Sequence, residues 1–181
     1  MRQAGAASLT VLALIAFGGI ARARETVSPS LRAVLEAHLC EVQERLLRIH
    51  RTDDPDMSAR HLIIEPADHP EAYVQCRFEA GDSRMQCEAA SGYYPVVEDG
   101  PPRPHPGDAA ALAALGFRSD PKGNDAQDLA LGEPPDLERA ARLMLRALHD
   151  GYGFRKPTEL FLEAPLAKGP SRPLPGCAPV S

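Results

Sequence analysis

The chain lacks most of the short-range patterns that mark an active site. No two of its four cysteines stand in CxxC spacing, the arrangement that makes a zinc or dithiol-redox site persuasive. Neither a nucleophile elbow nor the Ser/His/Asp order of a hydrolytic family is present. Six histidines are scattered along the chain, and only His38 lies near a cysteine, Cys40; a lone histidine is usually a surface or structural residue. Asp53, Asp54 and Asp56, taken with Glu65, lack the spaced ligands and central glycine of an EF-hand loop. Catalytic carboxylates cannot be chosen from 25 acidic residues without geometry. These absences point to a protein that is not an enzyme and that holds no cofactor or metal.

A long apolar run is also missing. Leu9 to Phe17 is shorter than the roughly 20 residues that span a bilayer, and Gly18 and Gly19 weaken it further. With Arg2 before it and Ala21-Arg22-Ala23 after it, the run reads as a secretory signal peptide of residues 1–23, cleaved after Ala23. No cysteine stands directly after that point, so no lipid anchor is expected and the mature chain is free of the membrane. The expected address is the periplasm or the exterior. The chain beyond the leader is long enough for one domain with a real core but hardly for two.

Basic character is scarce as well. Acids outnumber Lys and Arg by 25 to 20, a formal net charge of −5, and the leader removes two arginines and no acid. An acidic chain with no basic patch repels phosphate backbones, which excludes nucleic acid as a partner. Arg139, Arg142 and Arg146 do line one side of a helix, where such a stripe is ordinarily the solvated face.

The elements that are present are regular. Ser28-Pro29 starts a helix whose apolar stripe is Leu31, Leu35, Leu39, Val42, Leu46 and Ile49, with Cys40 on the far side. Asp136 caps a second helix, with Leu137, Ala141, Met144, Leu145 and Leu148 on one face and Gly151 at its end. Between them the period changes to two. Residues 60–65, 72–79 and 84–91 read as three antiparallel strands, and a Gly81-Asp82 turn joins the last two. Asp99 to Gly107, rich in proline, is a surface linker; Asp108 caps a short helix over 109–115, closed by Gly116. Short strands are expected near 127–131 and 158–162, and the Pro/Gly-rich end, residues 165–181, is expected to be an unfolded tail unless Cys177 holds it.

The hairpin is the most informative segment. A two-residue loop makes Val74 face Ala89, Cys76 face Cys87, Phe78 face Met85 and Ala80 face Ser83, so one face is apolar. The other pairs Gln75 with Glu88, Arg77 with Gln86 and Glu79 with Arg84, a charge-matched surface toward water and the candidate partner face. The register brings the Cα atoms of Cys76 and Cys87 to about 4.5–5.5 Å, within reach of a disulfide. Cys40 and Cys177 are then left to tie the tail to the first helix. Strand-interior cysteines are poor catalytic dithiols, so the first bridge is read as structural.

Tyr73-Val74-Gln75-Cys76, the run Met85 to Ser91 leading to Tyr93-Tyr94, the helix exit Leu112 to Phe117, and Ala141 to Gly153 ending in Gly-Tyr-Gly together resemble the TY-Chap domains. That family is similar in fold to type III secretion chaperones such as the Tir chaperone. The resemblance covers residues 31–163 and rests on packing motifs. It implies an α+β fold, an antiparallel β-sheet with helices packed on one face, often dimeric, that holds another polypeptide. With its leader, the chain is expected to be an exported relative, residues 24–164 forming the domain, whose partner docks on the polar hairpin face or an exposed sheet edge. The competing reading is a small-ligand-binding protein or envelope-associated enzyme with an unrecognised site.

Overall fold

The computed structural model describes residues 27–53, 56–69, 71–79, 81–94, 105–172 and 174–175. The segment expected to be a leader, most of the proline-rich linker, Ala80 and Cys177 lie outside the described residues. Helix α1 (Pro29–Arg51) starts where the Ser28 hydroxyl accepts from the Leu31 N–H at 3.2 Å. Proline comes first in the helix, where a missing N–H costs nothing. Arg48, His50 and Arg51 occupy its last turn, beside the negative end of the helix dipole. Its buried stripe is Leu31, Val34, Leu35, Val42, Leu46 and Ile49. Val34 stands where the sequence pattern suggested Leu39, which is only partly buried.

Strands β1 (His61–Pro66), β2 (Val74–Phe78) and β3 (Arg84–Ala89) form a meander. After the short helix α2 (Ala109–Ala114), β4 (Asp125–Ala130) adds beside β3. Helix α3 (Leu137–Arg146), capped by Asp136 and continued by a π-helical turn at Ala147–Gly151, leads to β5 (Leu160–Glu163) beside β1. The sheet is antiparallel throughout, in the order β4-β3-β2-β1-β5.

Alternation decides which sheet face is covered. Leu62, Ile64, Val74, Cys76, Phe78, Met85, Cys87, Ala89 and Leu129 are buried on one side. Helices α1 and α3 pack there against each other, α1 reaching β1 and α3 reaching β2. Each Leu or Ile withdrawn fully from water contributes roughly 1.5–3 kcal/mol, so this layer supplies most of the driving force. Gly151 lets α2 approach the π-helical turn: a Cβ there would stand 2.6 Å from Leu112, and the Gly151 carbonyl accepts from the Asp108 N–H.

The hairpin register is the one the alternation predicts, from Val74 opposite Ala89 to Phe78 opposite Met85. Cys76 and Cys87 are bonded, with Cα atoms 4.1 Å apart and both residues fully buried. The Glu79 N–H donates to the Arg84 carbonyl; by alternation Cys76 and Cys87 are then a non-hydrogen-bonded pair, the closer kind in an antiparallel ladder. This parity also shifts the turn. A two-residue loop would take its closing bond from Ala80, whereas the Glu79 carbonyl accepts from the Asp82 N–H at 3.1 Å, so the reversal begins one residue earlier than expected.

Asp82 holds a left-handed φ of 55°, unusual without glycine, and its carboxylate is anchored. Oδ2 lies 2.9 Å from His50 Nδ1 at the end of α1 and accepts from Arg60 Nη2 at 2.5 Å. The Arg60 guanidinium in turn lies over the Phe78 ring at 5.6 Å. The first part of the tail is ordered. Residues 165–172 are docked on α1, where Arg45 donates to the Ala167 and Gly169 carbonyls and Arg48 to those of Lys168 and Pro170. Ser171 donates to Glu41 at 2.8 Å, and Ala167 is fully buried. Buried Glu44 lies between the two arginines. Arg45 and Arg48 therefore satisfy four backbone carbonyls.

Candidate functional site

With the helices on one side, the opposite sheet face is left open among the described residues. Gln75, Arg77, Glu79, Arg84, Gln86 and Glu88 all lie on it, on alternate positions of β2 and β3. Gln75 Nε2 donates to Glu88 at 3.2 Å, Arg77 Nη2 to Gln86 at 2.8 Å, and Arg84 Nε lies 3.4 Å from Glu79. The ladder continues to β4, where Asp128 receives Arg84 at 3.8 Å and Arg118 at 3.6 Å. Exposed pairs of this kind contribute at most about 1 kcal/mol each. Their main effect is to set Glu79 and Asp128 beside arginines and to tie Arg77 and Glu88 to neutral amides.

The other half escaped the sequence reading. The register of β1 and β5 places Ile63 opposite Glu163 and Glu65 opposite Phe161, on the open face beside β2. Tyr73, one residue before β2, lies on the same side. Its hydroxyl accepts from Asn124 at 2.8 Å, and Asn124 also reaches Glu88 at 3.3 Å. Tyr93 and Tyr94 stack edge to face, centroids 5.1 Å apart, near Tyr73. Among the described residues, Tyr94 and Phe161 are the exposed large hydrophobics, at 58% and 56%. One signal was available: once Leu62 and Ile64 are assigned to the core, Ile63 must be an apolar residue facing water.

Charge is unmet here. Among the described residues no basic side chain pairs with Glu65 or Glu163, and Glu88 is held by the neutral amides of Gln75 and Asn124. Partial burial, then the neighbouring Glu163, hold the Glu65 carboxyl above the usual glutamate range. Burial likewise raises the Tyr73 phenol; the Asn124 hydrogen bond works against it, and Glu88 and Tyr94 add to the rise.

Three other groupings are accounted for by the fold. Ser30 Oγ lies 2.9 Å from His149 Nε2, and His149 Nδ1 lies 2.6 Å from Asp150 Oδ1. The order is that of a hydrolytic triad, but the ring is 1% exposed and Arg155 Nη1 stands 2.8 and 3.0 Å from its two nitrogens. The set ties the first turn of α1 to the end of α3. Beneath β4, His105 Nε2 meets buried Asp125 at 2.9 Å. Tyr152 donates to the Ala90 carbonyl at 2.7 Å, and burial followed by the nearby Asp125 raises its phenol far above the ordinary range. A groove of about 820 Å³ opens between α1, α3 and β4, rimmed by Arg139, Arg142 and Arg146. Those arginines are engaged, Arg142 with Glu138 at 2.7 Å, Arg146 with Asp150 at 3.6 Å and Arg139 with the Ala130 carbonyl. Among the described residues no three His, Cys, Asp or Glu stand together as a metal site, and Asp54 lies outside them.

A family model described as T3SS (YopN, CesT) and YbjN peptide-binding chaperone 3, TY-Chap3, matches residues 31–165. The chain belongs to the TY-Chap3 family. The match runs from the first turn of α1 past the end of β5, so the TY-Chap3 unit comprises both long helices and the whole sheet. No curated protein and no solved structure matches the chain. The resemblance read from the hairpin and helix-exit motifs is thereby established, along with the α+β architecture it implied.

Proposed function

We propose that this TY-Chap3 domain is an exported, non-catalytic holder of an extended polypeptide. The observation that carries the reading is the open sheet face: five strands with, among the described residues, helices on one side only, and aromatic side chains left in water on the other. An extended segment fits such a surface because its backbone can pair along a sheet edge while alternate side chains meet the face. Strand β5 offers that edge. The Ala67 N–H donates to the Glu159 carbonyl, so by alternation 161 and 163 bond to β1, while Leu160 and Leu162 turn their backbone groups outward. On the other flank β4 is partly closed, since Arg118 and Ala126 exchange backbone bonds at 2.8 and 2.9 Å. The family description, peptide-binding chaperone, supports the same reading.

Export rests on the leader, and the bridged cysteines suit an oxidising compartment. The test is direct. The purified oxidised chain, added in equimolar amount to a reduced, unfolding carrier protein, is expected to suppress its light scattering without nucleotide. Unchanged scattering, together with no binding of any member of an extended-peptide panel, overturns the reading. N-terminal sequencing of the protein from a fractionated host is expected to begin at Arg24, and an intact leader in the cytosolic fraction removes the export part.

A further inference from the structure

The two halves of the open face differ in a way that specifies the chemistry of the peptide. On the β2–β3–β4 half Glu79 lies beside Arg84 and Asp128 beside Arg84 and Arg118, while Glu88 is held by the amides of Gln75 and Asn124. At the β5–β1 end Glu65 and Glu163 have no basic partner among the described residues. They alternate with Phe161 and Ile63 across two adjacent strands. Glu65 is also partly withdrawn from water beside a second carboxylate, which makes an incoming cation more favourable there than at a freely solvated acid. The exposed rings of Phe161 and Tyr94 offer apolar contact and a cation-accepting face.

We infer that the occupant of this half is a basic, apolar extended segment, with an apolar side chain over Phe161 and a lysine or arginine two residues away against Glu163 and Glu65. The spacing comes from strand geometry. Phe161 and Glu163 are two residues apart on one face, and a segment added to the β5 edge repeats that step with its own alternate side chains. The inference rests on the peptide-holding reading and adds the sign and position of the charge.

The experiment uses the oxidised chain and three fluorescein-labelled peptides of equal length: one repeating Val-Ser-Lys-Ser, which sets valine and lysine two residues apart on one face, one with glutamate for lysine, one with serine for lysine. Anisotropy is expected to show the lysine peptide binding at least tenfold more tightly than the glutamate peptide, an advantage that shrinks between low and high salt. In the double variant Glu65→Gln/Glu163→Gln the preference is expected to fall about tenfold, with Arg142→Gln, on helix α3 across the sheet from this face, as a control that leaves it unchanged. Far-UV circular dichroism confirms that both variants are folded. Equal binding of all three peptides overturns the charge inference and leaves peptide holding intact, and binding of none overturns both. If a second copy closes this face instead, Phe161→Ser converts a dimer to a monomer in sedimentation, and the inference falls.

Discussion

The β2–β3–β4 half of the open face and its β5–β1 half share one sheet and one solvent, yet they treat charge in opposite ways. In the first, Arg77, Arg84 and Arg118 neutralise or bind what lies beside them. In the second, Glu65 and Glu163 have no basic partner among the described residues and the Phe161 ring is exposed. A surface that must only stay soluble has no need of the second arrangement, because it raises the free energy of the unbound domain. The contrast separates a part of the face whose acids lie beside arginines or amides from a part whose acids have no such neighbour among the described residues.

Four perturbations break or sharpen that contrast. The largest effect is expected from Cys76→Ala/Cys87→Ala, which unties the frame of the matched half. Closing a loop of this size is worth on the order of 2–3 kcal/mol, and urea unfolding of the two oxidised proteins measures it. The peptide-facing residues on β1 and β5 are left in place. Next comes Asp82→Ala, which removes the anchor to His50 and Arg60 and leaves a non-glycine residue at positive φ. A loss of about 1–2 kcal/mol is expected, partly recovered by Asp82→Gly, which restores the backbone freedom alone. Arg77→Ala, on the exposed ladder, is expected to change stability by less than about 0.5 kcal/mol in the same assay.

The smallest effect has a distinctive pH dependence. Glu65 binds its proton more tightly in the folded chain than in the unfolded one, so the stability this gives is complete below the ordinary glutamate range and is lost as pH rises through the raised value. Glu65→Gln is therefore expected to raise the urea midpoint slightly at pH 7 and to make no difference near pH 3. A loss of stability at pH 7 would mean that the carboxylate is already paired, and the two halves would no longer differ.

Much of the matched half was legible in the sequence. Residues 74–89 alternate strictly, and Cys76 and Cys87 fall on the same parity as Val74, Phe78 and Met85, so two independent requirements select one register. The caps Ser28, Asp108 and Asp136 were likewise visible as short polar residues before apolar periods. The receptive half was not. It depends on which strand lies beside β1, and no local pattern states that the segment after α3 returns there. The role of Arg45 and Arg48 was hidden for the same reason, since their partners are carbonyls more than a hundred residues away. The shifted turn needed the hydrogen-bonding parity of the cysteine pair, which side-chain alternation alone leaves open.

Sheet order also sets a sequence of assembly. Cys76 and Cys87 are separated by 11 positions and can meet as soon as the hairpin emerges, whereas Ile63 waits for Glu163, and contacts so distant along a chain close late. A nascent chain that has not yet reached Leu160 presents β1 as a bare margin and has no Phe161 at all. The bridged hairpin is thus built from neighbours in the chain, and the receptive half only from residues a hundred positions apart.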